Sequence, residues 1–181
     1  MVSVKAPVFG VSLAAMLTVL SAQAKPDFSG TWVLDSKASG IDKTQKVAEG
    51  RGGGLPTPTE MVIKQTAAEM VVTSVTPDSY AFSGNPVPSA DGLFHFTSTY
   101  RLDGKEFPAN CPPCDAKGMA SWKGGALTIS SKRKLFAGAL GYIETEDIDV
   151  FSLAGGVLTL ERTVDTVDGP KTRKLVYNLK R

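Results

Sequence analysis

Short segments in which apolar and polar residues alternate follow one another from Glu60 to the end of the chain, separated by Gly, Pro and Asp-Gly. Alternation with a period of two predicts β-strands that bury one face. Together with the runs 28–34, 93–101 and 141–153, the pattern indicates about eight to ten strands at hairpin spacing. No segment has the periodicity of an amphipathic helix over three turns.

Two Gly-Gly pairs allow the register of two hairpins to be worked out. The numbers of paired residues in an antiparallel hairpin add up to a constant, and residues two apart share a face. Two-residue turns at Gly124-Gly125 and Gly155-Gly156 place the apolar residues of each hairpin on a single face. These residues are Ala120, Trp122, Leu127 and Ile129 in the first hairpin and Phe151, Leu153, Leu158 and Leu160 in the second.

The last hairpin is expected to centre on Asp168-Gly169, which pairs Leu160 with Tyr177. Pro170 lacks the N–H that a ladder pair beside a two-residue turn requires, and a four-residue loop over 167–170 removes that conflict. One apolar face per strand predicts an all-β fold, either a sandwich or an up-and-down antiparallel barrel. The barrel is favoured because closure leaves no exposed strand edges.

Residues 1–24 have the pattern of a signal peptide. Lys5 is followed by an apolar run from Val8 to Leu20 and then by Ser21-Ala22-Gln23-Ala24, a small-x-small cleavage site. A single membrane anchor is the alternative, but the apolar run is shorter than the roughly 20 residues needed to cross a bilayer. We therefore predict cleavage near Ala24 and a periplasmic or secreted protein with no remaining membrane segment.

The mature chain is expected to form one domain, because removing 24 residues from the 181 leaves 157, residues 25–181. Lys5 is the only charged residue of the leader, so 19 of the 20 Lys and Arg remain against 18 Asp and Glu, a net charge of +1. This balance gives no electrostatic reason to expect nucleic acid or an anionic membrane as a partner. The sequence leaves the oligomeric state open.

The segment Phe28-Ser29-Gly30-Thr31-Trp32-Val33-Leu34, followed by Asp35-Ser36-Lys37, resembles the start of lipocalin-like proteins secreted by bacteria. Further segments similar to the same group are 52–58 leading into 61–66, 100–106, and 158–162 with 174–177. The resemblance implies a barrel with Trp32 plugging one end and a ligand cavity opening at the other. An eight-stranded barrel holds one small ligand or is filled by its own side chains.

The predicted function follows from an aromatic inner face and the lack of any catalytic set. We expect a barrel that binds a small apolar or amphipathic molecule, without a cofactor and without enzymatic activity. The residues expected to line its interior are Phe94, Phe96, Tyr100, Leu127, Ile129, Leu158, Leu160 and Tyr177. An interaction module that uses the Gly- and Pro-rich segment 38–59 as its contact surface is an alternative.

Cys111-Pro112-Pro113-Cys114 contains both cysteines of the chain. In an exported protein we expect Cys111 and Cys114 to form a disulfide that stiffens a loop. A thiol-disulfide enzyme is a further alternative, but its first cysteine usually begins a helix, and strand-like residues follow Asp115. Haem attachment requires a histidine at position 115, and a structural zinc site requires four ligands, whereas His95 is the only histidine.

His95 lies between Phe94 and Phe96 and shares its face with Thr97 and Thr99. Neighbouring residues of a strand point to opposite sides, so the two phenylalanines and the histidine cannot share a face. We therefore expect His95 to point outward rather than to act in catalysis.

The segment Glu144-Thr145-Glu146-Asp147-Ile148-Asp149 raises a question of register. Odd positions such as Phe151 face the core in the register of the second Gly-Gly turn, which would point Asp147 and Asp149 inward. Because an unpaired buried carboxylate is costly, we favour a β-bulge near Val150 that returns both to the surface. Without the bulge, both are candidate contacts for a ligand or a cation.

The connection before this segment also has a predicted register. A loop centred on Gly138 would place Lys132 opposite Glu144, a cross-strand pair worth about 0.2–1 kcal/mol.

Overall fold

The structure is a computed structural model, and it describes residues 24–41, 57–76, 89–109, 115–136, 141–166 and 169–181. Within these ranges the chain forms ten β-strands and no helix, so the predicted all-β fold is confirmed. The strands are β1 (Gly30–Leu34), β2 (Glu60–Gln65), β3 (Glu69–Thr76), β4 (Phe94–Arg101), β5 (Phe107–Pro108), β6 (Asp115–Lys123), β7 (Ala126–Phe136), β8 (Tyr142–Ala154), β9 (Val157–Thr166) and β10 (Gly169–Leu179). The described residues accordingly include no helix long and apolar enough to cross a membrane.

All ten strands belong to one antiparallel sheet that curls into a nearly closed barrel. Consecutive strands pair except β4 with β5, and β1 also pairs with β10, which gives the order β4-β3-β2-β1-β10-β9-β8-β7-β6-β5. At the seam between β4 and β5 the rings of Tyr100 and Phe107 meet edge to face, with centroids 6.0 Å apart. Gly118 on β6 lies opposite Phe107, whose ring occupies the space that a Cβ at 118 would need. The predicted up-and-down barrel is confirmed.

The registers of the two Gly-Gly hairpins are also confirmed. β6 and β7 pair Trp122 with Leu127, and β8 and β9 pair Phe151 with Leu160. The apolar residues of both hairpins lie on the inner face of the sheet, where most of them are buried.

The last hairpin is shifted by two residues from the predicted register. Leu160 does not pair with Tyr177, whose partner is Leu158, and only two residues separate β9 from β10. The predicted four-residue loop over 167–170 is therefore wrong. Pro170 lies in β10 in the second pair from the turn, where the alternation of an antiparallel ladder gives a pair that exchanges no backbone hydrogen bonds. Its missing N–H therefore removes no ladder bond. A shift of two also leaves the inward and outward faces unchanged.

β8 runs without a bulge from Tyr142 to Ala154, because its registers with β7 and β9 are both uninterrupted. The predicted bulge near Val150 is therefore wrong. Asp147 and Asp149 keep the same parity as Phe151 and face the interior of the barrel.

The predicted pair of Lys132 with Glu144 is wrong for a related reason. β7 and β8 pair Phe136 with Tyr142, so their connection is centred on residue 139 rather than on Gly138. Lys132 consequently lies opposite Glu146.

One end of the barrel is closed by the residues that precede β1. The half of the interior next to this end is solidly packed, and we call it the floor. The ring of Phe28 stacks on Trp122 at 5.9 Å and packs against Phe151 at 6.1 Å. The indole N–H of Trp32 donates to the carbonyl of Phe28 at 2.8 Å. The floor side chains with at most 3% exposure are Phe28, Trp32, Met61, Ile63, Met70, Phe107, Ala120, Leu127, Ile129, Phe151, Leu158, Leu160, Leu175 and Tyr177. Side chains this buried touch neither solvent nor a void large enough for water.

The two ends of the barrel differ in their connections. The tight turns between β6 and β7 and between β8 and β9 lie at the floor end. The odd-numbered strands finish at the opposite end, which we call the loop end.

Candidate functional site

Near the loop end several inward-facing side chains are polar or only partly buried. Phe94 and Phe96 of β4 face inward, because β4 pairs in register with β3, yet both remain half buried. On β7 and β8 the inward-facing residues near this end are Arg133, Thr145 and Asp147, which are also half buried. We call these five residues the loop-end compartment. These five side chains are less buried than those of the floor, whereas their inward-facing cross-strand neighbours Thr76, Ala116 and Val164 are buried.

An ion pair lies between the compartment and the floor. Arg162 donates through Nε and Nη2 to the two carboxylate oxygens of Asp149, at 2.6 and 2.7 Å. On the inner face Asp149 lies between Asp147 and Phe151, and Arg162 follows Leu160. Burial acts to lower the pKa of Arg162, but the charge and hydrogen bonds of Asp149, together with Tyr100 and Tyr177, outweigh it and the pKa is raised. Arg162 therefore stays charged, and its charge is offset within the barrel.

Two tyrosines share the electrostatic environment of this pair. Burial raises the pKa of Tyr100, and the negative charge of Asp149 adds to the rise. Burial also raises the pKa of Tyr177, against the opposing effect of Arg162. The hydroxyl of Tyr177 donates to the carbonyl of Pro58 at 3.2 Å. Both phenols are therefore neutral near pH 7.

The second inward-facing ion pair leaves polar atoms without partners. Arg133 Nη2 lies 2.6 Å from Asp147 Oδ2, and this single contact uses one atom of each group. Arg133 Nε, Asp147 Oδ1 and Thr145 Oγ1 are buried and have no hydrogen-bond partner among the described residues. Burial raises the pKa of Asp147, and Arg133 opposes this rise without cancelling it.

These three atoms lack hydrogen bonds that a further polar group could make. Arg133 and Thr145 are direct cross-strand partners, and Asp147 lies two residues along the same face of β8. A buried donor or acceptor left unsatisfied costs about 1–3 kcal/mol, so native structures rarely collect several at one point. A small polar group that reached these atoms would make the missing hydrogen bonds.

All eight residues predicted to line the interior do face inward. Five of them, with at most 2% exposure, are packed into the floor, and these are Leu127, Ile129, Leu158, Leu160 and Tyr177. Tyr100 lies at the β4–β5 seam against Phe107. Phe94 and Phe96 are the two that belong to the loop-end compartment. Ligand contact by any of the eight stays a prediction.

The other residues singled out in the sequence lie elsewhere. His95 points outward, as predicted, and its Nε2 lies 2.9 Å from Asp91 Oδ2 on the exposed surface. Cys111, Cys114 and the leader up to residue 23 lie outside the described residues, as does most of segment 38–59. β6 begins at Asp115, so a strand rather than a helix follows the second cysteine. The described residues contain no group of three or more potential metal ligands.

Arg133, Thr145 and Arg162 were missed as site residues. Their signal is parity, because Arg162 continues the inward series of Leu158 and Leu160, and Arg133 continues that of Leu127 and Ile129. A charged residue at the end of an apolar series can mark either the edge of the buried face or its continuation, and parity alone does not distinguish the two.

A groove of about 450 Å³ lies on the outer side of β6, β7 and β8. It is lined mainly by outward-facing residues such as Lys117 and Lys134. Lys117 pairs with Glu106 at 2.8 Å and Lys134 with Glu144 at 3.4 Å, and all four side chains are well exposed. Lys132 and Arg133 also line this groove, so these two ion pairs offset only part of its positive charge. We place the candidate site in the interior because the unpartnered polar atoms lie on inward-facing residues.

Comparison with known proteins identifies the fold but no family. No protein-family model matches the chain, and no curated protein matches it. The crystal structure of a secretary abundant heat soluble (SAHS) protein from Ramazzottius varieornatus is similar, with a TM-score of 0.50 and 14% sequence identity. The match covers 88% of this chain and 98% of that one. At this identity the similarity shows a shared barrel fold.

Proposed function

We propose that this protein binds a small amphipathic molecule in the loop-end compartment and carries out no reaction on it. The observation that supports the proposal best is the composition of the loop end: Phe94 and Phe96 face inward and are half buried, and three buried polar atoms on β7 and β8 near the same end have no hydrogen-bond partner among the described residues. We also propose, from the leader alone, that the protein acts in the periplasm or outside the cell.

The two phenylalanines supply the apolar part of the site. Phe94 and Phe96 are consecutive inward residues of β4, yet neither is packed as the floor residues are. Covering apolar surface is worth about 25 cal/mol per Å², so an apolar chain laid against both rings gains free energy. Aromatic side chains exposed to water inside a barrel are otherwise unfavourable.

The polar residues of β7 and β8 explain why an amphipathic ligand fits better than a purely apolar one. An apolar ligand would leave the missing hydrogen bonds of Arg133, Asp147 and Thr145 unmade, whereas a polar group that reached these atoms would make them and gain free energy. The floor offers no alternative, because its side chains leave no void of water size. The ligand therefore needs a polar group for β7 and β8 and an apolar part for β4.

Calorimetric titration with decan-1-ol, a simple amphiphile, tests the proposal. We expect saturable binding to one site, and Phe96→Ala should weaken it about tenfold, the effect of losing part of one aromatic contact surface. His95→Ala is the matched control, since His95 is the neighbour of Phe96 on the outer face of β4. Absence of saturable binding, or equal losses in both variants, would contradict an interior site.

A further inference from the structure

We infer that the polar group of the ligand is uncharged and both donates and accepts a hydrogen bond, as an alcohol or a primary amide does, and that it lies between Arg133, Thr145 and Asp147. This inference rests on the proposed function and specifies the chemical class of its ligand. It starts from the three unpartnered atoms and from the charges that surround them.

To satisfy the three atoms, the head group of the ligand must both donate and accept a hydrogen bond. Arg133 Nε carries a proton and can only donate, whereas an ionised Asp147 Oδ1 can only accept. Thr145 Oγ1 can do either. A hydroxyl oxygen accepts from Arg133 Nε–H while its proton is donated to Asp147 Oδ1. A primary amide does the same with its carbonyl oxygen and its NH₂ group.

The charges argue against an ionised carboxylate in this position. Arg133 is already paired with Asp147 at 2.6 Å, and Arg162 holds both oxygens of Asp149. These four side chains sum to zero charge. A carboxylate bound to Arg133 Nε–H would have no proton to give to Asp147 Oδ1 and would lie beside a second negative charge in a partly buried site.

Two cations of β10, Lys171 and Arg173, have inward parity and could favour a carboxylate instead. Lys171 is exposed, whereas Arg173 lies directly opposite Arg162 and its Nη1 donates to Thr57 Oγ1 at 3.0 Å. This side chain has partners, whereas the unpartnered atoms are on β7 and β8. A head group that makes the missing hydrogen bonds therefore lies beside Asp147 and not beside Arg173.

The decisive comparison is between decan-1-ol and decanoate, which share one alkyl chain and differ in the head group. At about pH 8 decanoate is ionised, and we expect the protein to bind decan-1-ol at least about tenfold more tightly, the effect of one hydrogen bond with a charged group. Decanoate binding equal to or tighter than that of decan-1-ol would overturn the inference and leave the proposed function standing. Binding of neither would overturn the proposed function itself.

Asp147→Asn provides a test of cause. An asparagine at 147 carries no charge and can turn its NH₂ toward the head group, so decanoate affinity should rise about tenfold relative to that of decan-1-ol. Glu144→Gln is the matched control, because it removes one negative charge from the outer face of the same strand. An equal gain in both variants would show a general charge effect and overturn the inference.

Thr145→Val keeps the inference testable if the Asp147 variant does not fold. It removes one hydroxyl without changing any charge and should weaken decan-1-ol several-fold while leaving decane binding unchanged. Equal losses for decan-1-ol and decane would show that the variant only disturbs packing and would count against the inference.

Discussion

The guanidinium of Arg162 contacts both carboxylate oxygens of Asp149 inside the barrel, at 2.6 and 2.7 Å. The two side chains are 19% and 13% exposed, so the pair is largely removed from water. It lies where the apolar floor gives way to the polar part of the interior. This pairing also explains how β8 can point carboxylates inward without a bulge. Burying a carboxylate is costly when it is unpaired, and Asp149 is paired.

We expect Arg162→Met to destabilise the protein by about 3 kcal/mol, near the low end for breaking a buried ion pair, because Asp149 is left without its partner. Adding Asp149→Leu should restore much of that loss, since the uncompensated carboxylate is then gone. Urea unfolding measures both changes.

Lys134→Met is the control for this pair of variants. Lys134 and Glu144 form an exposed ion pair at 3.4 Å, and its loss should cost less than about 0.5 kcal/mol. A double variant no more stable than Arg162→Met alone would show that the cost does not come from the unpaired carboxylate.

Trp32→Phe should destabilise the floor more than Trp122→Phe does. The indole N–H of Trp32 donates to the Phe28 carbonyl at 2.8 Å, whereas Trp122 Nε1 has no partner among the described residues. Both changes remove the same atoms, so their difference of roughly 1–3 kcal/mol reports the hydrogen bond and the carbonyl it leaves unsatisfied. Equal losses in thermal or urea unfolding would contradict the role of that bond.

Gly118→Ala should destabilise the seam between β4 and β5 by about 1–3 kcal/mol, as overpacking does. The space a methyl group would need at 118 is occupied by the Phe107 ring. In a Phe107→Leu background the same change should cost clearly less, because the ring is absent. A double-mutant cycle by urea unfolding measures this coupling. Strictly additive losses would show that the destabilisation by Gly118→Ala does not come from a clash with Phe107.

The Asp147 carboxyl should make stability depend on pH. Its pKa is raised by burial in the folded protein, so its contribution to stability is fully present below its ordinary value of 3.8 and is lost as the pH rises through the raised pKa. Asp147→Asn lacks this contribution. The variant should therefore gain stability relative to the wild type as the pH rises from about 3.8 through the raised pKa.

Asp35→Asn is a control with the opposite sign. Its pKa is lowered by the backbone N–H of Ala38 and by the amide of Asn178, so the wild-type carboxylate stabilises the fold above the ordinary pKa and loses this effect as the pH falls. Urea unfolding over a pH series should show two opposite slopes. If the stability of the two variants relative to the wild type changed in the same direction with pH, the raised pKa of Asp147 in the folded protein would be contradicted.

Much of the fold follows from local pattern. Turns at Gly124-Gly125 and Gly155-Gly156 fix two registers, because a two-residue turn leaves one pairing that keeps the apolar residues on one face. The Asp168-Gly169 pair misled the prediction of the last hairpin, because it is a favoured turn sequence, whereas the observed register centres on residues 167–168. Pro170 conflicts with the predicted turn and not with the observed one.

The candidate site was harder to predict than the fold. Phe94 and Phe96 were found because aromatic residues alternate with polar ones along β4. For Asp147 we expected a bulge that turns it to the surface, because its ion-pair partner is not evident from the sequence. That partner, Arg133, is 14 residues away and meets Asp147 only across β7 and β8. Sequence parity would have placed both inside, but only the three-dimensional pairing makes buried charges acceptable.

The most direct test of an interior ligand site is an NMR titration of isotope-labelled protein with decan-1-ol, followed through the methyl, aromatic and amide signals. We expect intermolecular contacts from the alkyl chain to Phe94 and Phe96, shifts at Thr145 and Asp147, and unchanged signals for floor residues such as Leu127. Contacts confined to the outer face of the barrel, or none at saturating decan-1-ol, would contradict the proposed site.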